Sequence, residues 1–446
     1  MNWKKLLSNH RLGTIDSDKI YPKRSPFQQD FDRIIFSSAF RKLQDKTQIF
    51  PLSESDYVRT RLTHSLETAS VARSLGTGAG DYVCQKFKLA NILPGDFGAI
   101  TAAAALAHDI GNPPLGHAGE EAVQEWFKKS EVAADCKKLM SDNELHDISR
   151  YEGNAQGFRI LTKLQYPSNH GGMQLCCATL GAFIKYPCLS NSKNKPVGVS
   201  SKKYNIFSSE KELFTEVAET LELKKIDDYS YTRHPLAFLV EAADDISYRI
   251  VDFEDGFIAG RIEYSELEEL FVSIINKPYV LEKLNLLNSK QEKVEFLRSR
   301  AIGKLVDEVI EVFIQNHDTI LAGNMEKSLV DLIPSAKYLY QVYAKSADVI
   351  YNTPRVSEVM VAGFELISDM LDIFTASCND IAINGDNASP RSRRLMYLLP
   401  NSNIYMQDEN WKKSPYLRIM YILDYISSMT DSAAVKLHKK LKGISI

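Results

Sequence analysis

The stretch Thr101-Ala-Ala-Ala-Ala-Leu106-Ala-His108-Asp109-Ile110-Gly111-Asn112-Pro113-Pro114-Leu115-Gly116-His117 decides the reading of this chain. An alanine-rich helical run ends on a His-Asp dyad. Gly111 stands where a helix C-terminus favours a positive φ, and Pro113 and Pro114 forbid continuation. The dyad is therefore expected in a last helical turn, buried on one side and open on the other, where a metal ion with exchangeable water can sit.

Two further segments supply matching ligands. His64 lies in Arg59-Thr-Arg61-Leu-Thr-His64-Ser-Leu66-Glu-Thr-Ala69, beside the apolar stripe of a helix. Alone it reads as an ordinary core or surface histidine. Asp244 lies in Leu236-Ala-Phe-Leu-Val240-Glu-Ala-Ala-Asp244-Asp-Ile-Ser-Tyr248-Arg-Ile-Val-Asp252, whose apolar residues mark a long buried helix. Buried acids need a partner, either a cation or a metal. Asp244, Tyr248 and Asp252 are spaced i, i+4, i+8 and share one face. Two imidazoles and two carboxylates suit Mn, Fe, Co, Ni or Zn, with Mg served where other oxygens complete the shell. Such a site lowers the pKa of a water and polarises a phosphoryl oxygen.

The remaining chain reads mostly as helix. Phe31, Ile34, Ile35, Ala39 and Leu43 recur at helical spacing, as do Leu62, Leu66, Ala69 and Ala72. Helices are expected near 117–129, 153–165, 207–223, 232–260, 291–322, 354–376 and 411–440. Thr47 to Leu52 is the best short strand candidate. Pro187 to Asn205, rich in Ser, Asn, Lys and Gly, reads as an exposed loop or flap, and Asn379 to Arg391 as a second irregular segment. The expected organisation is all-α: a catalytic body over 1–265 and a C-terminal helical region over 266–446, packed on that body or on a neighbouring subunit.

Composition limits the partners. With 446 residues, 44% hydrophobic and 25% charged, the chain can bury a sizeable core. A net charge of −3 gives no global field for nucleic acid. Residues 19–61 nevertheless carry nine Lys or Arg against five Asp or Glu, a local surplus suited to an anion or simply a solvated basic face. The six cysteines form no Cys-x-x-Cys pair and fit free thiols in a cytoplasmic setting. The N-terminal residues lack a secretory pattern, no apolar run reaches the roughly 20 residues of a membrane span, and no Gly-rich phosphate loop is present.

The ordered blocks Gln28-Gln-Asp30-Phe-Asp32-Arg33, Phe40-Arg-Lys-Leu-Gln44-Asp-Lys46-Thr-Gln48-Ile-Phe-Pro51 and Arg59-Thr-Arg61-Leu-Thr-His64-Ser-Leu-Glu67 resemble the opening of bacterial deoxyguanosine triphosphate triphosphohydrolases, in the HD superfamily. His108-Asp-Ile-Gly-Asn-Pro-Pro-Leu-Gly-His117-Ala-Gly-Glu120, Tyr151-Glu-Gly-Asn154-Ala-Gln156-Gly and Glu241-Ala-Ala-Asp244-Asp-Ile-Ser-Tyr248 resemble its later blocks. The likeness spans residues 24 to about 260; beyond it, only Tyr351-Asn-Thr-Pro-Arg355 before a helix is similar.

The resemblance implies an HD-type helical fold with His64, His108, Asp109 and Asp244 as ligands of a divalent metal (Mg, Mn or another transition metal). It implies His117 and Glu120 as the catalytic pair; their i, i+3 spacing lets the carboxylate orient the imidazole. Arg61 is expected to clamp phosphate, Asn112 to lie near the phosphates, and Gln48 beside the sugar. Tyr248 packs on deoxyribose in this reading, crowding a 2′-hydroxyl, while Asp252 accepts from the 3′-hydroxyl. The implied reaction cleaves a deoxynucleoside triphosphate, dGTP first, into deoxynucleoside and intact triphosphate, in a homo-oligomer such as a hexamer. Rival readings are a cyclic-nucleotide or guanosine-tetraphosphate hydrolase, and a nucleotide-sensing or nucleic-acid-binding module with an idle site. Arg391, Arg393 and Arg394 could touch single-stranded nucleic acid, although a solvated loop is the simpler reading.

Overall fold

A computed structural model of the chain describes residues 1–14, 24–49 and 59–444. Part of the basic 19–61 segment and residues 50–52 of the strand candidate lie outside this set; within it, Thr47 forms an isolated antiparallel bridge to Thr60. The regular structure of the described residues is helical, apart from a two-stranded antiparallel ladder, Lys225–Asp227 with Ser230–Tyr231, and isolated bridges. The helices that frame the site are α1 (Arg61–Phe87), α2 (Pro94–Ala107), α3 (His117–Lys129), α4 (Gly153–Arg159), α5 (Pro235–Ile258), α6 (Pro354–Asn384), α7 (Pro415–Ser427) and α8 (Asp431–Leu441).

The α1–α2 pair sets the site. Residues Ala102 to Ala107 are all buried, and their small side chains let the helices approach closely. Thr101 Oγ1 donates to the Ala72 carbonyl at 2.7 Å and locks an antiparallel register. From Ala72 back to His64, and from Thr101 on to His108, are each about two helical turns. The two histidines are therefore delivered to the same end of the pair.

Two apolar clusters flank that end. One gathers Leu75, Ile100, Leu106, Leu239, Ile246 and Ile250 with side chains up to Ile350. The other packs Val123, Trp126 and Phe127 of α3 against Ile367, Met370 and Phe374 of α6 and Ile419 and Ile422 of α7. Each such buried side chain contributes roughly 1.5–3 kcal/mol. Trp126 Nε1 also finds Asp372 Oδ1 at 2.8 Å, so its indole is buried without an orphan donor. The loop between α2 and α3 runs from one cluster to the other.

Several expectations are corrected. Gly111 has no positive φ. It is needed for close approach, because a Cβ there would lie 2.1 Å from Gly153 O and Gly157 N. Pro187–Asn205 is largely packed: Cys188, Leu189, Ser190 and Asn205 are buried, Ser190 donates to Asp147, and Asn205 Nδ2 donates to Asn154 O. Its polar residues bond inward, which composition cannot show. The segment 379–391 is helical to Asn384, and a new helix starts at Pro390, placing the exposed Arg391, Arg393 and Arg394 on a helix rather than a loop. The expected 411–440 helix is three pieces, broken before Pro415 and at Thr430, which caps α8. The 31–43 apolar pattern is broken where Ser37 caps a new turn, and 291–322 is interrupted at Asn316, whereas 207–223 is helical as expected, a 3-10 turn at Ser208–Glu210 leading into an α-helix over Lys211–Thr220.

Candidate metal and phosphate site

His64 stands in the first turn of α1, His108 caps the C-terminus of α2 with Asp109 next to it, and Asp244 stands midway along α5. Ligand atoms of His64, His108 and Asp109 all lie within 4.8 Å of one another. Asp244 Oδ1 lies 3.2 Å from His64 Nε2 and 3.4 Å from His108 Nε2. His108 Nδ1 donates to the Ala105 carbonyl at 2.7 Å, so its proton sits there and the Nε2 lone pair faces the carboxylates. This is the second-sphere arrangement that orients a ligating imidazole. The donor set fits a divalent metal.

The cluster is balanced by two cations. Burial opposes ionisation of Asp109, but Arg61, at 2.6 Å from Oδ2, holds its carboxyl well below the usual range, aided by the histidines. Burial likewise opposes ionisation of Asp244, and Lys185, 2.6 Å from Oδ2, with both imidazoles, holds it low. Burial lowers His108; for His64 it is outweighed by the Asp244 hydrogen bond, which raises the imidazole. Arg61, expected on phosphate, thus faces Asp109. Its Nη2 fills the space beside Gly116, where φ is +57° and a Cβ would lie 2.4 Å away.

The loop joins the ligands to the second pair. Asn112 Nδ2 donates to Asp109 Oδ1 at 2.6 Å. Glu120, buried on α3, accepts from His117 at 2.9 Å and from Gly153 N at 2.7 Å. A Cβ on Gly153 would touch both Asn112 Oδ1 and Glu120 Oε1, so the two side chains are neighbours. The Glu120 hydrogen bond raises the His117 pKa above that of free imidazole, although the His117 side chain is 74% exposed. Lys203 approaches Glu120 at 3.8 Å and Glu152 at 3.0 Å.

Along α5, Asp244, Tyr248 and Asp252 do share a face. Tyr248 stacks on Tyr351 at 5.6 Å and 9°, and Tyr351 Oη donates to Asp252 Oδ2 at 2.8 Å. Burial pushes the Asp252 carboxyl up to about 7. Gln48 Oε1 is buried and has no partner among the described residues. Sequence reasoning missed Lys185, Lys203 and the role of Tyr351. A lone lysine in the apolar run Ala182-Phe-Ile-Lys185-Tyr was the one local signal for the first.

The HD domain family matches residues 61–157. The chain is 41% identical to a deoxyguanosinetriphosphate triphosphohydrolase-like protein of Synechocystis sp. (strain ATCC 27184 / PCC 6803 / Kazusa), over the whole of both chains. It is 36% identical to one of the same description from Pseudomonas aeruginosa (strain LESB58), covering all of this chain and 99% of the relative. It is 30% identical to a deoxyguanosinetriphosphate triphosphohydrolase of Salmonella arizonae (strain ATCC BAA-731 / CDC346-86 / RSK2980), over 94% of each chain.

Proposed function

The chain belongs to the deoxyguanosinetriphosphate triphosphohydrolase family, in the HD superfamily, and on that premise we propose that it hydrolyses deoxynucleoside triphosphates, dGTP foremost, to deoxynucleoside and inorganic triphosphate. The observation that carries this reading is the convergence of His64 and His108 Nε2 on Asp244 Oδ1, with Asp109 beside them. His64, His108, Asp109 and Asp244 would hold a divalent ion, Mg, Mn or another transition metal. When bound, such an ion polarises a phosphoryl oxygen and lowers the pKa of water.

The chain's own residues do the rest. Water adds to the α-phosphorus as its bond to the 5′-oxygen breaks; His117, its pKa raised by Glu120, donates a proton to that leaving oxygen and is reprotonated by the proton the water gives up. Arg61 and Lys185 keep the two ligand carboxylates ionised, and Lys203 adds positive charge beside Glu120. Asn112 holds Asp109 and lies toward the phosphates. Tyr248, Asp252 and Gln48 take the sugar side, with Tyr351 fixing both Tyr248 and Asp252.

A homo-oligomer, such as a hexamer, is part of the proposal and rests on the family resemblance alone. Among the described residues no helix is long and apolar enough to cross a membrane. The test is to incubate each dNTP, and GTP, with Mg or Mn and identify the phosphate product. Intact triphosphate is expected; a nucleoside monophosphate, or binding without turnover, overturns the reading in favour of another HD hydrolase or a sensing module.

A further inference from the structure

Leu115, in the loop between α2 and α3, has φ of +64°, a left-handed conformation rare for a branched side chain. Such backbone persists only where its surroundings over-determine it. The determinants come from the far C-terminus. Leu115 N–H donates to Asp431 Oδ1 at 2.9 Å. The other oxygen of the same carboxylate accepts the N–H and hydroxyl of Thr47, at 2.8 and 2.5 Å, immediately before Gln48. The Leu115 side chain abuts α6 at Gly363, where a Cβ would lie 2.3 Å from Leu115 Cδ1. At the other end of the loop, Lys46 Nζ donates to Asn112 O and, at 2.7 Å, to Ser427 O of α7.

Asp431 is the first residue of α8 and is buried at 2% exposure. Capping does not account for its contacts, because the cap of α8 is Thr430, whose hydroxyl accepts from Ala433 N. Both Asp431 oxygens leave the helix for two separate segments of the candidate site.

We propose that Asp431 is a positioning residue for the reaction. One oxygen sets the loop that carries Asn112 and leads into His117, the other sets the segment that carries Gln48, and the carboxylate fixes the distance between them. The reaction affected rests on the function proposed above; the ordering of the loop does not.

The experiment uses the full-length, metal-loaded protein and the variants Asp431→Ala, Asp431→Asn and Gly363→Ala. Hydrogen exchange is followed at the amides of Gly111, Asn112, Leu115, Gly116 and His117 and of 46–49, alongside metal content and dNTP kinetics. In Asp431→Ala these amides should exchange about tenfold faster, with α1 and α2 unchanged. Metal content and KM should stay near parental while kcat falls by about 10²-fold, the effect of an ångström-scale misplacement. Asp431→Asn, which keeps one acceptor oxygen, should recover part of the rate. Gly363→Ala, displacing Leu115 from the opposite side, should reproduce the kcat loss. Unchanged loop exchange in Asp431→Ala and Gly363→Ala overturns the proposal, as does a loosened loop with parental kcat. If the parental protein releases no triphosphate from any dNTP, the functional reading fails by itself, and the exchange arm still decides whether Asp431 sets the loop.

Discussion

Lys185 Nζ donates to Asp244 Oδ2 at 2.6 Å, while the other oxygen of that carboxylate faces His64 and His108. One aspartate thus satisfies a buried ammonium and completes the candidate metal cluster. Asp244→Ala should therefore cost more than metal. It leaves Lys185 buried and unpaired, a loss of about 3–5 kcal/mol by chemical denaturation. Adding Lys185→Met should restore most of the stability but not the bound metal. Equal stability of the single and double variants would refute the coupling.

His108→Ala separates the two effects, since its imidazole carries no buried ion-pair partner of its own beyond the cluster. Metal content by mass spectrometry should fall to background and turnover should vanish, while circular dichroism keeps the helical signal. Retained metal with parental turnover would remove His108 from the ligand set.

His117→Ala and Glu120→Gln should each lower kcat by roughly 10²–10⁴-fold with metal still bound. Glu120 raises the His117 pKa, so an acid that must be protonated stays active to higher pH. In Glu120→Gln the alkaline limb of kcat should shift down, toward about 6.5, the value of free imidazole. A pH profile that does not move would detach Glu120 from proton transfer.

Tyr248 stacks on Tyr351, which in turn holds Asp252, and in the proposed function this wall faces the sugar. A 2′-hydroxyl pressed against that wall loses its water without a partner, at a cost of about 1–3 kcal/mol. The parental protein should prefer dGTP to GTP, Tyr248→Ala should narrow the preference, and Asp252→Asn should raise the KM for dGTP. Equal hydrolysis of GTP and dGTP would sink the assignment.

His234 predicts a pH-dependent stability outside the site. Its Nδ1 accepts from Leu236 N–H and its Nε2 donates to Leu6 O, so only the neutral ring satisfies both contacts. Burial pushes its pKa down to about 4. The unfolded chain, with a pKa of about 6.5, takes up the proton first. The contribution is therefore complete above about 6.5 and is lost progressively as the pH falls to 4, to a total of about 3 kcal/mol. His234→Asn, which can still cap the helix, should flatten the slope of urea stability against pH in that window. An unchanged slope would count against it.

What the sequence alone determined is local and periodic. The alanine run ending on His108-Asp109 and the Asp244–Tyr248–Asp252 face follow from 3.6-residue periodicity and helix-end chemistry, the His117–Glu120 pair was implied by the family resemblance, and α3 and α5 formed close to the expected ranges. Tertiary structure alone decided that Lys185 pairs with Asp244, that Tyr351 occupies Asp252, that Gly111 answers close packing rather than a positive φ, and that Asp431 reaches Leu115 across the chain. It also decided that much of the polar 187–205 segment packs inward, with Cys188, Ser190 and Asn205 buried. The physical reason is common to these cases. A charge, hydrogen bond or close contact met by a residue from a separate segment, 59 positions away for Lys185 and Asp244 and 316 for Leu115 and Asp431, leaves no spacing rule in either segment, and becomes visible only when packing has brought both out of water.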